Sequence, residues 1–338
     1  MVNIKDVAER AGVSATTVSH VVNGTRFVAK DARARVEEAI AALGFVPSAV
    51  ARSLKHRATR TFGMLLPNNS NPYFAEVLRG VEDRCFDSGY SLLLGNSDDD
   101  PKRQAWYLRT LAEKRIDGLI LVSAGAGEVA PLRELKCPVV MLDRELPGLA
   151  VDLVAADHLL GGWLATRHLL DLAHPWAACI SGPPGVAPSS QRRAGWKKGL
   201  AESRVERREG DLARGDFTPR GGYLAMQALL RRRPRPSAVF VCNDLMAFGA
   251  LAAVREAGLK VPEDLSIVGY DDIQLAAFSA PTLTTVAQPK RQIGVLAAEL
   301  LLDRLETGRV EPRRVLLEPE LRRRESTAQH HPEERPTP

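Results

Sequence analysis

The chain has 338 residues, 45% hydrophobic and 26% charged. That balance excludes a mainly disordered protein and, at roughly 100–200 residues per domain, calls for two or three domains. The sequence has no run of 18 apolar residues, and its N-terminus, MVNIKDVAERAG, carries Asp6 and Glu9 in place of an apolar leader. Neither a membrane span nor a secretory signal is expected, and the cytoplasm is the expected location. The net charge of +5 is unevenly placed: residues 1–60 hold ten Lys/Arg against five Asp/Glu, and the remaining 36 of each sign cancel. A basic excess confined to the first sixth of the chain points to phosphates, hence to nucleic acid.

Residues 1–46 predict three short helices. Ile4, Val7, Ala8 and Ala11 share a face, Gly12 breaks that helix, and Ser14 is suited to cap a second one over 15–22. Asn23-Gly24 ends the second helix. A third runs over about 31–43 with Val36, Ala39, Ile40 and Leu43 as its stripe, stopped by Gly44. Pro47-Ser48 opens a very short helical stretch, AVARSLK, over 49–55. From Thr61 the period changes. Strand-like runs at 62–66, 90–94, 118–122, 138–142, 176–180, 237–241 and 265–269 alternate with helix-like segments, the pattern of βαβ units and parallel sheets. About 265 such residues exceed one compact sheet, so two lobes are expected. The tail after Ser326 has almost no apolar residue, and disorder is expected from 328 to 338.

The segment from Ile4 to Asn23 fits a helix-turn-helix. Ala8 sits at the helix–helix approach, Gly12 supplies the turn, and Val13, Val18 and Val21 fill the core. Thr16, Thr17, Ser19 and His20 point outward as short polar groups that reach base edges in a major groove. Arg26, in the same basic stretch, completes the DNA-facing set of the headpiece.

The run IKDVAERAGVSATTVSHVVNGTRFV, followed by VPSAVARSLK, resembles the headpiece and hinge of the LacI/GalR family of bacterial repressors, most of all its ribose repressors, with purine repressors next. The likeness covers residues 1 to about 327. It implies that Thr16, Thr17 and His20 face bases; Ala15 stands where those repressors carry a polar residue, so the family's base contact at that place does not carry over. It also implies domains at 1–58 (headpiece and hinge helix) and 59–327 (effector binding and dimerisation). The N-lobe would span 61–158 plus 289–318 and the C-lobe 159–288 plus 319–327. A seven-residue helix is unstable alone, so the hinge orders only when two copies meet on DNA. Leu54 is then the wedge between minor-groove base steps, with Arg52 and Lys55 near phosphates or groove edges.

The remainder resembles the periplasmic sugar-binding fold, with ligand between two lobes at the carboxyl ends of strands. Loops after strands supply Asn71, Tyr73, Phe74, Asp143, Arg144, Arg192, Phe217, Asn243, Asp271 and Gln288. Flat rings suit the apolar faces of a sugar, while carboxylate, amide and guanidinium groups suit its hydroxyl rim. Purine repressors of the family have tryptophan at the place of Arg144, so the resemblance implies D-ribose as effector, with another pentose or a purine as rival.

Other motifs fall away. GAGEVA at 125–130 loosely imitates a dinucleotide loop, but Pro131 follows. Asp98, Asp99 and Asp100 lack the spaced acid of a calcium loop and read as a solvated or ligand-rim loop. The cysteines, Cys85, Cys137, Cys179 and Cys242, are far apart and fit neither a zinc cluster nor a disulfide framework. No catalytic constellation, metal site or cofactor is expected. The expectation is a ligand-responsive repressor that binds a palindromic operator as a homodimer, with no membrane partner. A sugar-binding protein without DNA work and a sugar-acting α/β enzyme are the rivals from other classes.

Overall fold

The first helix, α1 (Ile4–Ala11), starts where Asn3 and Asp6 trade caps. Lys5 N–H donates to Asn3 Oδ1 at 2.8 Å, and Asn3 N–H donates to the Asp6 carboxylate at 2.8 Å. Gly12 ends it at φ +63°, a conformation that costs a side-chain-bearing residue energy. Helix α2 (Ala15–Asn23) follows, with the Ser14 hydroxyl accepting the Thr17 N–H at 3.1 Å, and α3 (Lys30–Leu43) closes the trio. Val7, Ala8, Ala11, Val18, Val21, Val36 and Ala39 are buried between them. The structure of the protein is a computed structural model, which describes residues 2–46, 58–124, 130–146, 148–205 and 210–331. The expected hinge helix at 49–55 lies outside them. The chain divides into two units, Met1–Thr59 and Arg60–Pro338.

The second unit contains two six-stranded sheets. The first, in order β11-β5-β4-β3-β1-β2, joins β1 (Thr61–Leu66), β2 (Ser91–Asn96), β3 (Gly118–Leu121), β4 (Val139–Leu142), β5 (Asp152–Ala156) and β11 (Arg314–Leu317), all parallel. The second, in order β12-β10-β9-β8-β6-β7, joins β6 (Ala178–Ser181), β7 (Leu212–Arg214), β8 (Ala238–Val241), β9 (Ser266–Asp271), β10 (Thr284–Ala287) and β12 (Glu320–Arg322), antiparallel only at β12. Strands such as β3, β4 and β8 are buried at every position and read as continuous apolar runs. The helices are α4 (Pro72–Asp87), α5 (Pro101–Glu113), α6 (Ala130–Arg133), α7 (His158–Asp171), α8 (Ala187–Glu202), α9 (Pro219–Leu230), α10 (Asp244–Glu256) and α11 (Lys290–Thr307).

The chain passes between the sheets after β5, after β10 and after β11. Helix α11 therefore packs on α4 of the first lobe although it follows β10 of the second. The approach is close enough that a Cβ on Gly80 would strike the Arg291 carbonyl. Among the described residues no helix is long and apolar enough to cross a membrane.

Five strands carry no signal in the runs read from sequence: β5, β7, β10, β11 and β12. Strand β5 opens on Asp152, which is fully buried but held by Arg304 at 2.7 Å and Arg309 at 2.9 Å. Strand β10 hides Thr284 and Thr285 by hydrogen-bonding both hydroxyls. The other three are short and carry exposed or half-buried residues.

The expectation of disorder from 328 is corrected for residues 328–331. Ala328 N–H donates to the Ser266 hydroxyl at 3.1 Å, His330 N–H donates to the Leu172 carbonyl at 2.8 Å, and the His330 ring stacks on His174 at 5.1 Å. Composition weighs side-chain hydrophobicity and does not register a segment held by its backbone.

Candidate functional site

In the first unit the exposed polar face of α2 follows from its N-cap. Because Ser14 starts the helix there, Val18 and Val21 turn inward and Thr16 is left exposed, with Thr17, Ser19 and His20 half-buried beside it. The Thr17 hydroxyl lies 2.9 Å from that of Ser14, and His20 Nδ1 lies 2.8 Å from the Thr25 hydroxyl. The Ser19 carbonyl accepts from Asn23 at 2.8 Å. These contacts fix the orientation of groups otherwise free to rotate. Lys5, Arg10, Arg26, Lys30 and Arg35 are exposed on the same unit. Arg52, Leu54 and Lys55 lie outside the described residues.

In the second unit, the loops at the carboxyl ends of the strands meet between the sheets, where open α/β folds bind ligands. Asn71, Tyr73, Phe74, Asp143, Arg144, Arg192, Phe217, Asn243 and Asp271 line one cleft, completed by Val122, Val186 and Pro188. Gln288 stands behind Asp271, donating to its carboxylate at 2.7 Å. Residues of both lobes line the space, so an occupant touches both at once.

From the first lobe, Asn71 caps α4 by accepting the Tyr73 N–H at 3.0 Å, and the Tyr73 hydroxyl donates to Asp143 at 2.5 Å. Arg144 donates to the Ser123 carbonyl at 2.8 Å and pairs with Asp99. The Asp98–Asp100 loop therefore borders the cleft, with Asp98 paired to Arg103. From the second lobe, Arg192 is 4% exposed. It donates to the Cys242 carbonyl at 2.6 Å, pairs with Asp271 at 3.4 Å and lies 3.8 Å over the Tyr270 ring. Asn243 caps α10 through Oδ1 and donates to the Phe217 carbonyl at 3.2 Å. Lys290 donates to the backbone carbonyls of Asp271 and Asp272, both at 2.7 Å.

Strain and shifted titration gather at the same place. Asp143, Phe217, Asp271 and Asp272 hold positive φ at 55°, 66°, 110° and 52°, each at a cost of about 1–3 kcal/mol. Burial opposes the charge of Asp143, but His158, with Tyr73 and Arg192, outweighs it and draws the carboxyl below its ordinary range. Burial pushes Asp271 up against the pull of Arg192, Gln288 and Lys290. Arg192 stays charged, because Asp271 offsets what burial costs it. The result is a cleft with charged groups of both signs, suited to gripping a neutral molecule rich in hydroxyls.

Sequence reasoning missed His158, Tyr270 and Ser123. His158 follows a strand, β5, whose buried aspartate disguised it. Tyr270 sits inside the GYDD motif, but its ring supports Arg192 and lines none of the free space. Among the described residues there is no cluster of three or more His, Cys, Asp or Glu that would hold a metal.

Residues 3–48 match the family model described as bacterial regulatory proteins, lacI family, and 166–327 match that of the periplasmic binding protein-like domain. The HTH-type transcriptional repressor PurR of Erwinia tasmaniensis is 43% identical over 97% of both chains. The ribose operon repressor of Escherichia coli K12 is 43% identical over 96% of this chain and 100% of its own. Among solved structures, the lac repressor dimer bound to operator and the anti-inducer ONPF matches with a TM-score of 0.86 at 29% identity, covering 97% of this chain and 99% of that one. A LacI family regulator from Enterococcus faecium with bound ribose matches with a TM-score of 0.73 at 32% identity, covering 80% of this chain and 100% of that one.

Proposed function

The chain belongs to the lacI family of bacterial regulatory proteins and is a DNA-binding transcriptional repressor, not an enzyme; on that premise we propose that it is a D-ribose-responsive repressor of ribose uptake and catabolism genes, acting in the cytoplasm and holding a palindromic operator as a homodimer. The observation that carries the effector reading is the meeting of Asp143 and Arg144 from one lobe with Arg192 and Asp271 from the other around one small space, flanked by the Phe74 and Phe217 rings. A pentose has hydroxyls for the charged groups and apolar faces for the rings. Arg144, anchored by Asp99 and Ser123, presents a hydrogen-bonding fork in that space. The relative from Escherichia coli named for the ribose operon and the Enterococcus faecium regulator holding ribose support the same choice.

The homodimer has physical support in exposed apolar residues. Leu93 and Leu94 lie on β2, an edge strand of the first sheet, while Leu275 and the 77%-exposed Phe278 belong to the second lobe. Edge strands of this kind invite pairing. A helix of only seven residues is marginal alone, which is the physical ground for reading a second copy from the hinge expected in the sequence. A coupling of about 1–3 kcal/mol between effector and operator binding suffices to release DNA. A purine corepressor is the second reading, favoured by the 43% identity to PurR and by two rings able to face a heterocycle.

Calorimetry against D-ribose, other pentoses, hypoxanthine and guanine, run beside operator binding by fluorescence anisotropy, separates the readings. D-ribose is expected to bind and release operator. Arg192→Ala should lower its affinity by roughly a hundredfold or more, since a buried charge pair and several charged hydrogen bonds go together. Binding of guanine or hypoxanthine without D-ribose would overturn the ribose reading, and unchanged affinity in Arg192→Ala would overturn the cleft.

A further inference from the structure

One member of the polar chain across the cleft lines none of the free space. His158 is the first residue of α7, behind the Asp157 cap, where the chain leaves the first sheet for the second. Its side chain is 0% exposed. Nε2 lies 3.2 Å from Asp143 Oδ1, while Nδ1 lies 3.3 Å from both Arg192 Nε and the Tyr270 hydroxyl. A guanidinium nitrogen only donates and an ionised carboxylate only accepts. Nδ1 therefore carries the lone pair and Nε2 the proton, and the neighbours choose the tautomer.

We propose that His158, held as the neutral Nε2–H imidazole, is the positioning residue that ties Asp143 of the first lobe to Arg192 of the second, setting the separation of the two charges that grip the effector and making that grip fail in acid. This inference rests on the effector reading above. The groups facing the ring are Asp143 with Tyr73 behind it, Arg192 with Asp271 behind it, Tyr270, and Asp157 on its own turn. Burial holds the ring below the usual histidine range despite Asp143. A second proton, on Nδ1, sets an N–H against the Arg192 N–H and a cation against a cation. The pairing across the lobes is then lost, and effector affinity falls once the pH drops below the lowered pKa of the ring.

Two variants and one spectrum test this. In calorimetry with D-ribose from neutral pH down to the lowest pH at which the chain stays folded, wild-type affinity falls by up to roughly tenfold per pH unit below the lowered pKa of the ring. His158→Gln offers one acceptor and one donor without titrating. It keeps neutral-pH affinity within about threefold and lacks the histidine part of the acid fall, the difference from wild type cancelling any contribution of Asp271. His158→Ala loses roughly tenfold to a hundredfold. An acid fall in His158→Gln equal to that of wild type, or wild-type affinity in folded His158→Ala, overturns the proposal. Selective 15N-histidine NMR of the effector-free protein, with the His158 signals identified by their absence in His158→Gln, is expected to show Nε2 protonated and Nδ1 bare at neutral pH. A protonated Nδ1 overturns the role with no effector present. If wild type fails to bind D-ribose, the ribose reading falls and the spectrum alone decides the role of His158.

Discussion

The headpiece and the cleft use the same residue types in opposite ways. In the first unit Lys5, Arg10, Arg26, Lys30 and Arg35 are exposed and few carboxylates answer them. In the cleft Arg192 and Asp271 are each 4% exposed, and Arg144 and Asp143 each 8%. An exposed charge acts at a distance and is screened by salt. A buried one acts more strongly on its neighbours, is screened far less by salt, and is sensitive to any change in protonation. One chain thus holds a long-range, unspecific attraction beside a short-range, selective grip.

The largest test of that contrast is ionic strength. If the headpiece meets six to ten phosphates, operator affinity falls by about 10³–10⁵ between 50 and 200 mM salt, whereas effector affinity changes by less than about threefold. Anisotropy and calorimetry in the same buffers check this, and parallel salt slopes would erase the distinction.

Acid is the second test, and it strikes the second unit away from the cleft. Burial lowers the pKa of His168 and of His174 to about 4 each. A folded pKa below the unfolded value of about 6.5 means that the unfolded chain binds more protons between these limits. The stability from each ring is therefore whole above about 6.5 and drains away as pH falls toward about 4, by up to about 3 kcal/mol. Urea denaturation of His174→Asn should show a flatter acid limb than wild type over that window. An identical slope would sever the stacked His174–His330 pair from acid sensitivity.

The smallest expected effect sharpens the first region. Ser14→Ala removes the acceptor for the Thr17 N–H and the partner of its hydroxyl, costing the headpiece about 1 kcal/mol. The headpiece melting transition should shift downward while D-ribose affinity stays constant. Equal loss in both would show that the two units do not hold their sites independently.

The three helices of the headpiece, the Ser14 cap and the glycine stops were legible because each depends on neighbours within four residues. Ser14, Gly12, Gly24 and Gly44 act on the backbone beside them, and Val7, Val18, Val21 and Val36 declare their faces by spacing. The cleft residues were legible one by one through family resemblance and through their place after strands. His158 was not, because β5 begins with a buried aspartate, whose burial depends on Arg304 and Arg309 from 152 and 157 residues away. Tyr270 was passed over for a related reason: it lies on β9, and its value lies in the Arg192 side chain that stacks on it from helix α8.

By itself, then, the order of amino acids determined the class of fold, the helical headpiece with its capped turns, and the basic bias toward DNA. These follow from local geometry and summed charge, which need no partner far along the chain. Only the folded molecule decided which buried charges face each other, which ring nitrogen of His158 bears its proton, and that residues 328–331 are held in place. Those outcomes rest on desolvation and hydrogen bonding between groups that lie far apart along the chain and meet only when the lobes are built.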